Sequence, residues 1–480
     1  MSGFVSLLGA GPGDEELISV KGKRRLAEAE VLVYDRLVNP IFQTYVPEDC
    51  QLIDVGKVVG KPCIKQEEII AILIEKAQQG LRVVRLKSGD PYIFGRGGEE
   101  ALALQEAGIS FEVVPGISSA TAALAYAGIP VTHRNLARSF HVFTAHLEDP
   151  NQDLDWSAIA QLEGSLVFLM GMKHLEKIQL GLLEAGYDPN SSAAIVEWGT
   201  YPKQRTLTST LENLLHEARA AQFQAPCIIV IGAVVDFRES LNFFESGPLF
   251  GKKILIQESE KGRLPQLLKD AGANVVTFPA RNQAQACPVD LPDFAQLTGL
   301  LVADLASWSF FLQALQEQSV DIRQLGQLKI AAVGNHTAQS IEKTGVILDA
   351  QAAHLDDEGF QRELEKMGSD WLVLTSDSKL AWVEQEYSYP VMITHQLSRG
   401  SEADTSQWDD VDAVCLPNVL AVTNFLEISQ ESAIDWGTTP ILVMGTAGYN
   451  YLETAERMIV HQTRENTLVS LIELCQEVLE

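Results

Sequence analysis

Residues 82–108, RVVRLKSGDPYIFGRGGEEALALQEAG, contain the three parts of a strand–loop–helix unit. The stretch Arg82–Leu86 predicts a strand, and SGDP at 88–91 predicts a loop directly after it. The helical periodicity of Glu99–Ala107 predicts the helix. Units in this order are typical of α/β domains with a mostly parallel sheet.

The same alternation extends outward from this unit through residues 1–245. Further strands are predicted at Phe4–Leu8, Val31–Tyr34, Phe111–Val114, Leu166–Met170, Ala193–Glu197 and Cys227–Ile231, and further helices at Glu15–Ala29 and Glu67–Gln79. Asp14 is a suitable N-cap for the first of these helices. The pattern predicts an α/β domain of two lobes, divided near residue 130, with a cleft between them.

The chain changes character at residues 246–251, SGPLFG, where glycine and proline interrupt the periodic pattern. We therefore predict one domain over residues 1–245 and a second over 252–480. The second domain is also predicted to be α/β, because short strands again alternate with helices.

The second domain contains a weak internal repeat. Residues 329–341 and 440–452 share a strand, a glycine and the start of a helix, and residues 300–315 resemble 412–427. Because the pattern occurs only twice, it predicts two similar lobes rather than a solenoid.

The chain of 480 residues carries a formal net charge of −28. Residues 1–245 contain 21 basic and 31 acidic side chains, and the remainder contains 15 and 33. This balance argues against a nucleic-acid partner, because phosphate binding needs a basic surface. An acidic small molecule suits the first half only where arginine and lysine are locally concentrated.

Targeting and cysteine patterns predict a soluble cytoplasmic protein. The first residues, MSGFVSLLGAGPGD, lack the basic region of a signal peptide, and no apolar run approaches the length of a membrane helix. The six cysteines form no C-x-x-C pair and no metal-binding cluster with histidine. We expect buried thiols in a reducing compartment and no metal site.

Three glycine-containing loops follow predicted strands of the first domain: GAGPGD (9–14), SGDP (88–91) and PGISS (115–119). We expect them to line one crevice at the carboxyl edge of the sheet, where open α/β folds bind ligands. A dinucleotide site is the competing interpretation, because Asp35 lies where a ribose-binding acid would fall. Pro12 argues against that site, since it removes a backbone N–H that a pyrophosphate would need.

The sequence around these loops resembles the uroporphyrinogen-III C-methyltransferases of the tetrapyrrole methylase family. The matching blocks, in chain order, are GAGPGD, VLVYDRLV, VGK, RLKSGDPYIFGRGGEEA, AGISFEVVPGISSATAALAYAGIPVTHR, FLMGM and EWGTYPKQR. They cover about residues 3–243. The resemblance implies a two-lobed α/β homodimer of siroheme or cobalamin biosynthesis. It would transfer two methyl groups from S-adenosylmethionine to uroporphyrinogen III, giving precorrin-2 and S-adenosylhomocysteine.

The same resemblance assigns roles to individual residues. Contacts to S-adenosylmethionine are expected from Pro12, Ser88, Gly89, Asp90, Ile93, Ser118, Ser119, Met170 and Gly199. Asp35 corresponds to the family's proton acceptor and Lys57 to its proton donor. Asp90 suits ribose hydroxyls or a cationic amino group, and Met170 suits a flat base.

The substrate of that family carries eight carboxylates, so basic side chains are expected near it. The basic residues in or beside the matching blocks are Arg36, Arg85, Lys87, Arg96, Arg134 and Arg205. Each is equally compatible with an ordinary ion pair or a solvated charge. His133, beside Arg134, is compatible with a structural role at least as well as with a catalytic one.

The first half departs from the family at three points. Ser88 stands where a glycine is common, Trp198 stands where an asparagine is frequent, and the segment after Lys57 lacks a histidine often found there. The departures leave the expected catalytic groups in place and affect the shape of the pocket.

The second half resembles uroporphyrinogen-III synthase in layout, chiefly through residues 329–345 and the repeated block at 440. That enzyme uses no cofactor and cyclises hydroxymethylbilane to uroporphyrinogen III. Two turns that carry a Thr-Ser pair in the family read Ala303-Asp304 and Pro417-Asn418 here, and an expected arginine is Glu258.

These replacements weaken the expectation of synthase activity. Asp304 would repel a polyacid, and a tyrosine favoured as general acid aligns near His395. An active synthase and a silent structural, regulatory or tetrapyrrole-binding domain are both open.

Other functions are open for the first half. They are a methylase for another corrinoid or for ribosomal RNA, a tetrapyrrole carrier, and a NAD-dependent dehydrogenase. The acidic balance argues against RNA, and Asp35 with Lys57 argues against a carrier.

Overall fold

The computed structural model describes residues 3–56, 64–145, 153–258, 262–280, 282–353, 357–399, 405–432, 434–453 and 458–480. The chain divides into two compact units. The first is Met1–Lys253 with Pro265–Val275 and Leu479–Glu480, and the second is Ile254–Leu264 with Val276–Val478. Both are α/β, which confirms the predicted fold class. The domain boundary at residues 246–251 stays a prediction.

The first lobe of the first unit is built on a five-stranded parallel sheet. Its elements are β1 (Phe4–Gly9), α1 (Val20–Ala27), β2 (Val31–Tyr34), β3 (Gln51–Asp54), α2 (Gln66–Gln78), β4 (Arg82–Lys87), α3 (Gly97–Glu106), β5 (Ser110–Val114) and α4 (Ser119–Tyr126). The strand order is β3-β2-β4-β1-β5, and the four pairs are parallel. All five strands therefore end at the same edge of the sheet.

Both faces of this sheet are covered, so β1 and β2 are mostly apolar, whereas the middle strand β4 also carries the buried cations Arg85 and Lys87. Val5 and Leu7 of β1 pack into one hydrophobic cluster with α2 and α3, and Leu8 packs into another with α1. The rigid centre of the sheet fixes the positions of the loops that leave it.

The predicted helix Glu15–Ala29 was wrong as a single element. The chain forms a 3-10 turn at Glu15–Leu17 and then α1, because two caps act in succession. Asp14 Oδ1 accepts a hydrogen bond from Glu16 N at 2.9 Å, and Ser19 Oγ accepts one from Gly22 N at 3.0 Å.

The second lobe of the first unit contains a mixed sheet. Its elements are β6 (Phe140–Thr144), α5 (Trp156–Ile159), β7 (Ser165–Leu169), α6 (Leu175–Glu184), β8 (Ser192–Glu197), β9 (Arg205–Thr210), α7 (Leu214–Ala220), β10 (Cys227–Ile231) and α8 (Arg238–Leu241). The order is β6-β7-β10-β8-β9; β6 and β7 are parallel, and the other pairs are antiparallel. Met170, predicted as the last strand residue, lies just beyond β7 with φ 54°.

The second unit contains most of the remaining elements. The strands are β11 (Lys253–Gln257), β12 (Asn274–Phe278), β13 (Asn282–Ala286), β14 (Gly299–Val302), β15 (Lys329–Val333), β16 (Ala350–Ala352), β17 (Trp371–Ser376), β18 (Val391–Arg399), β19 (Ala413–Leu416), β20 (Pro440–Val443) and β21 (Ile459–Gln462). α9 (Leu264–Asp270) follows β11 in the sequence, but its residues from Pro265 onward belong to the first unit. The helices of the second unit are α10 (Leu305–Glu317), α11 (Asn335–Lys343), α12 (Glu358–Met367), α13 (Leu380–Glu386), α14 (Val419–Ser432), α15 (Thr446–Glu453) and α16 (Leu468–Leu479).

These strands form two sheets, in the orders β12-β11-β19-β20-β21 and β13-β18-β17-β14-β15-β16. The internal repeat is confirmed in part as structure. β15, Gly334 and α11 correspond to β20, Gly445 and α15, and both glycines have positive φ, at 89° and 84°. The unit β14–α10 corresponds to β19–α14 in the same way.

Two further sequence-based expectations concern the cysteines and membrane-spanning helices. Cys50, Cys227, Cys415 and Cys475 are buried free thiols, while Cys287 is partly exposed. Among the described helices, each is too short or too polar to serve as a bilayer-spanning segment.

Candidate active site

The glycine loops after β1, β4 and β5 meet at the carboxyl edge of the first sheet. Gly11 N donates to Gly89 O at 3.2 Å, and Gly89 N donates to Gly11 O at 2.7 Å. A methyl group added at Gly116 would lie 2.1 Å from Gly89 O, and one added at Gly9 would lie 2.5 Å from Gly116 N. No side chain fits in these positions. The three loops therefore form one continuous backbone surface, which we call the glycine rim.

Asp90 ties two of these loops together. Its Oδ1 accepts a hydrogen bond from Tyr92 N at 2.8 Å, and its Oδ2 accepts one from Gly116 N at 3.1 Å. A carboxylate oxygen can accept more than one hydrogen bond, so Asp90 can still bind a hydroxyl or ammonium group of a ligand.

The other residues predicted on this edge lie on or beside the rim. Ser118 is buried and caps α4, with its Oγ accepting from Ala120 N at 3.3 Å. Ser119 is the first residue of α4, and Pro12 and Ser88 are partly exposed in their loops. Ile93 exposes its apolar side chain.

The second lobe contributes the loop after β8. Thr200 Oγ1 accepts a hydrogen bond from Asp14 N at 3.1 Å, and the ring of Tyr201 packs against Gly13. Gly199 packs on α4, since a methyl group added there would lie 2.3 Å from the Cβ of Ala123. Gly199 is thus held against the helix that begins at the rim.

Met170 follows β7 in that lobe and is 49% exposed. Its location after a strand of the second lobe does not by itself show that it faces the crevice. Its contact with a ligand therefore stays a prediction.

Five non-glycine residues in loops of the two lobes have left-handed backbone conformations. They are Phe94, Arg96, Met170, Trp198 and Thr200, with φ values of 52°, 57°, 54°, 51° and 70°. Each such residue costs about 1–3 kcal/mol and persists only where the surrounding structure enforces it. Conformations of this kind concentrate at ligand sites.

Asp35, the predicted proton acceptor, directly follows β2 at the same edge. Its side chain is 33% exposed, and its Oδ1 lies 2.6 Å from Nη2 of Arg85. Arg85 is only 1% exposed and also donates through Nη1 to the backbone oxygen of Leu86 at 3.3 Å. Asp35 is therefore a surface-reaching carboxylate anchored by a buried guanidinium.

Glu100, which was not predicted from the sequence, is fully buried in the first turn of α3. Its Oε1 accepts from Lys87 Nζ at 2.9 Å, from Gln66 Nε2 at 3.0 Å and from Arg85 Nε at 3.2 Å. Burial and the neighbouring Arg85 lower the pKa of Lys87, although Glu100 opposes that shift. The two cations of β4 thus share one internal carboxylate.

A sequence signal for Glu100 exists. Arg85 and Lys87 lie two positions apart in a strand with apolar neighbours, so both point to one face. Buried charges are paired, and two buried cations on one face require a nearby carboxylate. The Glu99-Glu100 pair that opens the next helix is the nearest source in sequence.

The six predicted substrate-binding cations lie in different surroundings. Arg36 and Arg134 are exposed, and Arg96 is half-exposed and pairs with Glu99 at 2.8 Å. Arg205 pairs with Glu197 at 2.6 Å and lies over the ring of Phe223. A substrate-contact role for all six stays a prediction, but Arg85 and Lys87 are buried and already paired, which fits an internal structural role better.

The two remaining positions singled out in the sequence are Lys57 and His133. Lys57 lies outside the described residues. The His133 ring packs on Phe237, with 4.5 Å between ring centroids, and its Nδ1 is buried without a hydrogen bond. The packing fits a structural histidine.

Comparison with known proteins identifies the family. Residues 5–215 match the family described as Tetrapyrrole (Corrin/Porphyrin) Methylases. The chain is 41% identical over 358 residues to the uroporphyrinogen-III C-methyltransferase of Bacillus subtilis (strain 168), and the alignment covers 73% of each protein. The chain belongs to the tetrapyrrole methylase family.

Two other proteins are similar to this methylase. It is 38% identical over 392 residues to the porphyrin biosynthesis protein HemD of Ruminiclostridium josui, covering 79% of this chain and 77% of that one. Among solved structures, the uroporphyrin-III C-methyl transferase of Thermus thermophilus complexed with S-adenyl homocysteine is 40% identical. That match covers 49% of this chain and 99% of the other, with a TM-score of 0.43. The Bacillus and Ruminiclostridium alignments extend into the second half of the methylase, because they cover well over half of its chain.

The second half of the methylase has its own polar cluster at a sheet edge. Asp304 follows β14 and caps α10, with Oδ1 accepting from Ser307 N at 2.9 Å. Lys379 Nζ lies 3.9 Å from Asp304 Oδ2, and His395 Nε2 lies 4.0 Å from Oδ1. His395 is buried and stacks on Phe310; burial lowers its pKa, although Asp304 opposes the shift.

The other replaced turn is also a helix cap. Asn418 Oδ1 accepts a hydrogen bond from Ala421 N at 2.9 Å at the start of α14. Glu258, in place of the expected arginine, is exposed after β11. The turns at Asp304 and Asn418 therefore stabilise helices, and the negative charge of Asp304 has a lysine and a histidine nearby.

Proposed function

We propose that this methylase transfers two methyl groups from S-adenosylmethionine to uroporphyrinogen III and releases precorrin-2 and S-adenosylhomocysteine. One observation carries the proposal: the glycine rim and Asp35 occupy the same edge of one parallel sheet. In this proposal the rim binds a ligand, and Asp35 is the partly exposed carboxylate that accepts a proton. The similarity to a protein named uroporphyrinogen-III C-methyltransferase supports the same substrate.

The rim fits S-adenosylmethionine. Gly9 and Gly116 let the three loops pack closely, and Gly89 has no neighbouring atom closer than 4.0 Å to the place of a Cβ, so a ligand can approach its backbone. Asp90 adds a carboxylate for ribose hydroxyls or the amino group. Ile93 and Met170 expose apolar side chains that can pack on the adenine. The bound molecule supplies an electrophilic methyl group on a cationic sulfur. The remaining proposed contacts are Pro12, Ser88, Ser118, Ser119 and Gly199.

The protein aligns the reactants and removes a proton. A pyrrole carbon of a porphyrinogen is already nucleophilic, so a carbon–carbon bond forms as the carbon–sulfur bond breaks, and the thioether leaves. The methylated ring is then cationic, and Asp35 accepts its proton. Lys57 is proposed to donate a proton in the same site.

Exposed arginines are proposed to bind the substrate carboxylates. Arg36 directly follows Asp35, and Arg96 begins α3 beside the loop of Asp90; Arg134 follows the same α4 that begins at the rim. Arginine is suited to this task because its planar guanidinium binds carboxylates through two hydrogen bonds.

The direct test uses the purified chain with S-adenosylmethionine and uroporphyrinogen III kept reduced. We expect a product with two added methyl groups, identified by mass and by its absorption spectrum. Methyl transfer to another corrinoid but not to uroporphyrinogen III would contradict the substrate assignment. Binding of uroporphyrinogen III without transfer would indicate a carrier.

The second half has a second candidate function, the cyclisation of hydroxymethylbilane to uroporphyrinogen III. The paired lobes and the Asp304–Lys379–His395 cluster favour it, because they combine a synthase-like layout with a partly buried acid near a buried histidine. The alternative is a silent domain, which the helix-capping turns favour. Supplying bilane in place of uroporphyrinogen III separates them, since only an active synthase lets the chain form precorrin-2 from bilane alone.

We propose a cytoplasmic homodimer on the basis of the family resemblance. Light scattering of the purified chain tests the dimer, and a monomer at micromolar concentration would contradict it.

A further inference from the structure

Four alternating charges connect the interior of the first lobe to Asp35. Lys87 Nζ lies 2.9 Å from Glu100 Oε1, the same oxygen lies 3.2 Å from Arg85 Nε, and Arg85 Nη2 lies 2.6 Å from Asp35 Oδ1. The four side chains come from β4, α3 and the end of β2. The two cations and two carboxylates balance each other.

The chain of charges is buried at one end and exposed at the other. Glu100, Arg85 and Lys87 are 0%, 1% and 3% exposed, whereas the Asp35 side chain is 33% exposed. A large acidic substrate can therefore contact Asp35 directly, while Arg85 and Lys87 lie behind it.

Stability alone does not account for this arrangement. Buried ion pairs are often replaced by apolar residues with no loss of stability, because removing charges from water is unfavourable. Moreover, Glu100 Oε2 is buried without a hydrogen bond, which is an additional unfavourable contribution. A group of this kind, placed directly behind a predicted proton acceptor, indicates a role in the reaction.

We infer that Glu100 and Arg85 are positioning residues for Asp35. The inference rests on the proposed methyl transfer and adds two residues to it. Glu100 holds Nε of the guanidinium, and the guanidinium holds Asp35 Oδ1 by a charge-assisted hydrogen bond. Because the guanidinium is planar and rigid, its contact with Glu100 fixes the direction in which it presents Nη2 to Asp35.

The first test is Glu100→Gln, which keeps the shape and removes the charge. We expect kcat to fall about tenfold or more, because small displacements of a catalytic group have effects of this order. The KM for uroporphyrinogen III and the calorimetric affinity for S-adenosylmethionine should stay within about twofold, since Glu100 lies behind the ligands.

The matched control is Glu112→Gln. Glu112 lies in β5 of the same sheet and is an ion-paired carboxylate bound by Lys21, Arg25 and Ser6 rather than by Arg85. The Glu112→Gln variant should keep the kcat of the wild type. An equal loss of kcat in both variants would overturn the inference, because it would show a general effect of removing a carboxylate from this lobe.

The double variant Asp35→Asn with Glu100→Gln distinguishes positioning from support of the fold. If Glu100 acts through Asp35, the second substitution adds nothing to the loss caused by the first. Independent, multiplicative losses would overturn the inference. If Glu100→Gln does not fold, Arg85→Lys replaces it in the same cycle, because lysine keeps the charge but cannot bind Glu100 and Asp35 together.

The outcomes separate this inference from the proposed function. A wild-type chain that does not methylate uroporphyrinogen III overturns both. A wild-type chain that does, with an impaired Asp35→Asn variant and full kcat in Glu100→Gln, overturns the inference and leaves the function intact.

Discussion

The carboxyl edges of two sheets in this chain carry different polar clusters. At the first sheet, neighbouring groups of the Asp35–Arg85–Glu100–Lys87 cluster lie 2.6–3.2 Å apart beside the glycine rim. At the sheet of β14 and β17, Asp304 lies 3.9 Å from Lys379 and 4.0 Å from His395, and it also caps a helix.

The difference between the two edges indicates which features accompany a ligand-binding site at a sheet edge. Parallel strands bring polar residues together at one edge in both units. The first edge combines close ionic contacts with three tightly packed glycine loops, of which Gly89 leaves open space for a ligand. The second edge has a partly buried acid and a buried histidine but no matching rim of glycines among the described residues.

The largest expected effect comes from Asp35→Asn. The amide keeps the shape but cannot accept the proton, so kcat for methylation should fall by about 10²–10⁴-fold, the usual contribution of general acid–base catalysis. The affinity for S-adenosylmethionine, measured by calorimetry, should change little. A large loss of affinity with normal turnover would move Asp35 from catalysis to cofactor binding.

The next effect comes from Gly116→Ala at the rim. The added methyl group would lie 2.1 Å from Gly89 O, so the loops must separate, at about 1–3 kcal/mol of folding stability. Affinity for S-adenosylmethionine should fall as well. Gly98→Ala is the matched control, because no atom lies within 4 Å of the new methyl group. Equal behaviour of the two variants would show that the rim is not tightly packed.

A smaller effect concerns the pH dependence of the first sheet. Burial opposes ionisation of Glu112, but hydrogen bonds from Arg25, Lys21 and Ser6 outweigh it and lower its pKa to about 2. Its stabilising contribution is therefore present above pH 4.5 and is lost as the pH falls through about 2. Glu112→Gln should lower stability at pH 7 by about 1–2 kcal/mol, allowing for partial screening by solvent.

The check for Glu112 is denaturant unfolding of both proteins at several pH values. The gap between variant and wild type should narrow below pH 4.5. A gap that stayed constant from pH 7 to pH 3 would contradict the ion-pair explanation.

The smallest effect concerns His395 in the second unit. Burial lowers its pKa, so the unfolded chain binds a proton more readily than the folded one, and stability falls as the pH drops below the ordinary value of 6.5. His395→Gln should therefore lose less stability than the wild type between pH 7.5 and pH 5.5 in thermal melts. Identical pH dependence would show that His395 is not held in its uncharged form.

The fold was largely predictable because its signals are local. Apolar runs such as Cys227–Ile231 are long enough to identify strands, and glycine punctuation identified the loops that meet at the rim. The break between the 3-10 turn and α1 was not predicted, because the sequence does not show whether Ser19 lies inside a longer helix or caps a new one. Similarly, Met170 continues an apolar run, so its left-handed conformation after the strand could not be predicted from the sequence.

The site was predictable at its edge and not in its interior. Asp35 and Asp90 belong to motifs that stand out in the sequence, and the structure places both at the carboxyl edge. Glu100 is one of two adjacent acids, and only packing shows that one is buried and the other pairs with Arg96 at the surface. The spacing of Arg85 and Lys87 in the sequence did not show that their side chains are buried, so both were listed as candidates for substrate binding.

The left-handed residues in the loops of the two lobes have a consequence for engineering. Glycine at Met170, Trp198 or Thr200 would relieve conformational strain that the present side chains must bear. Such replacements would be expected to raise the melting temperature where the lost side-chain packing is small, while the loops that hold the ligand became looser. Selection for heat resistance alone would therefore favour glycine at these positions at the expense of ordered loops.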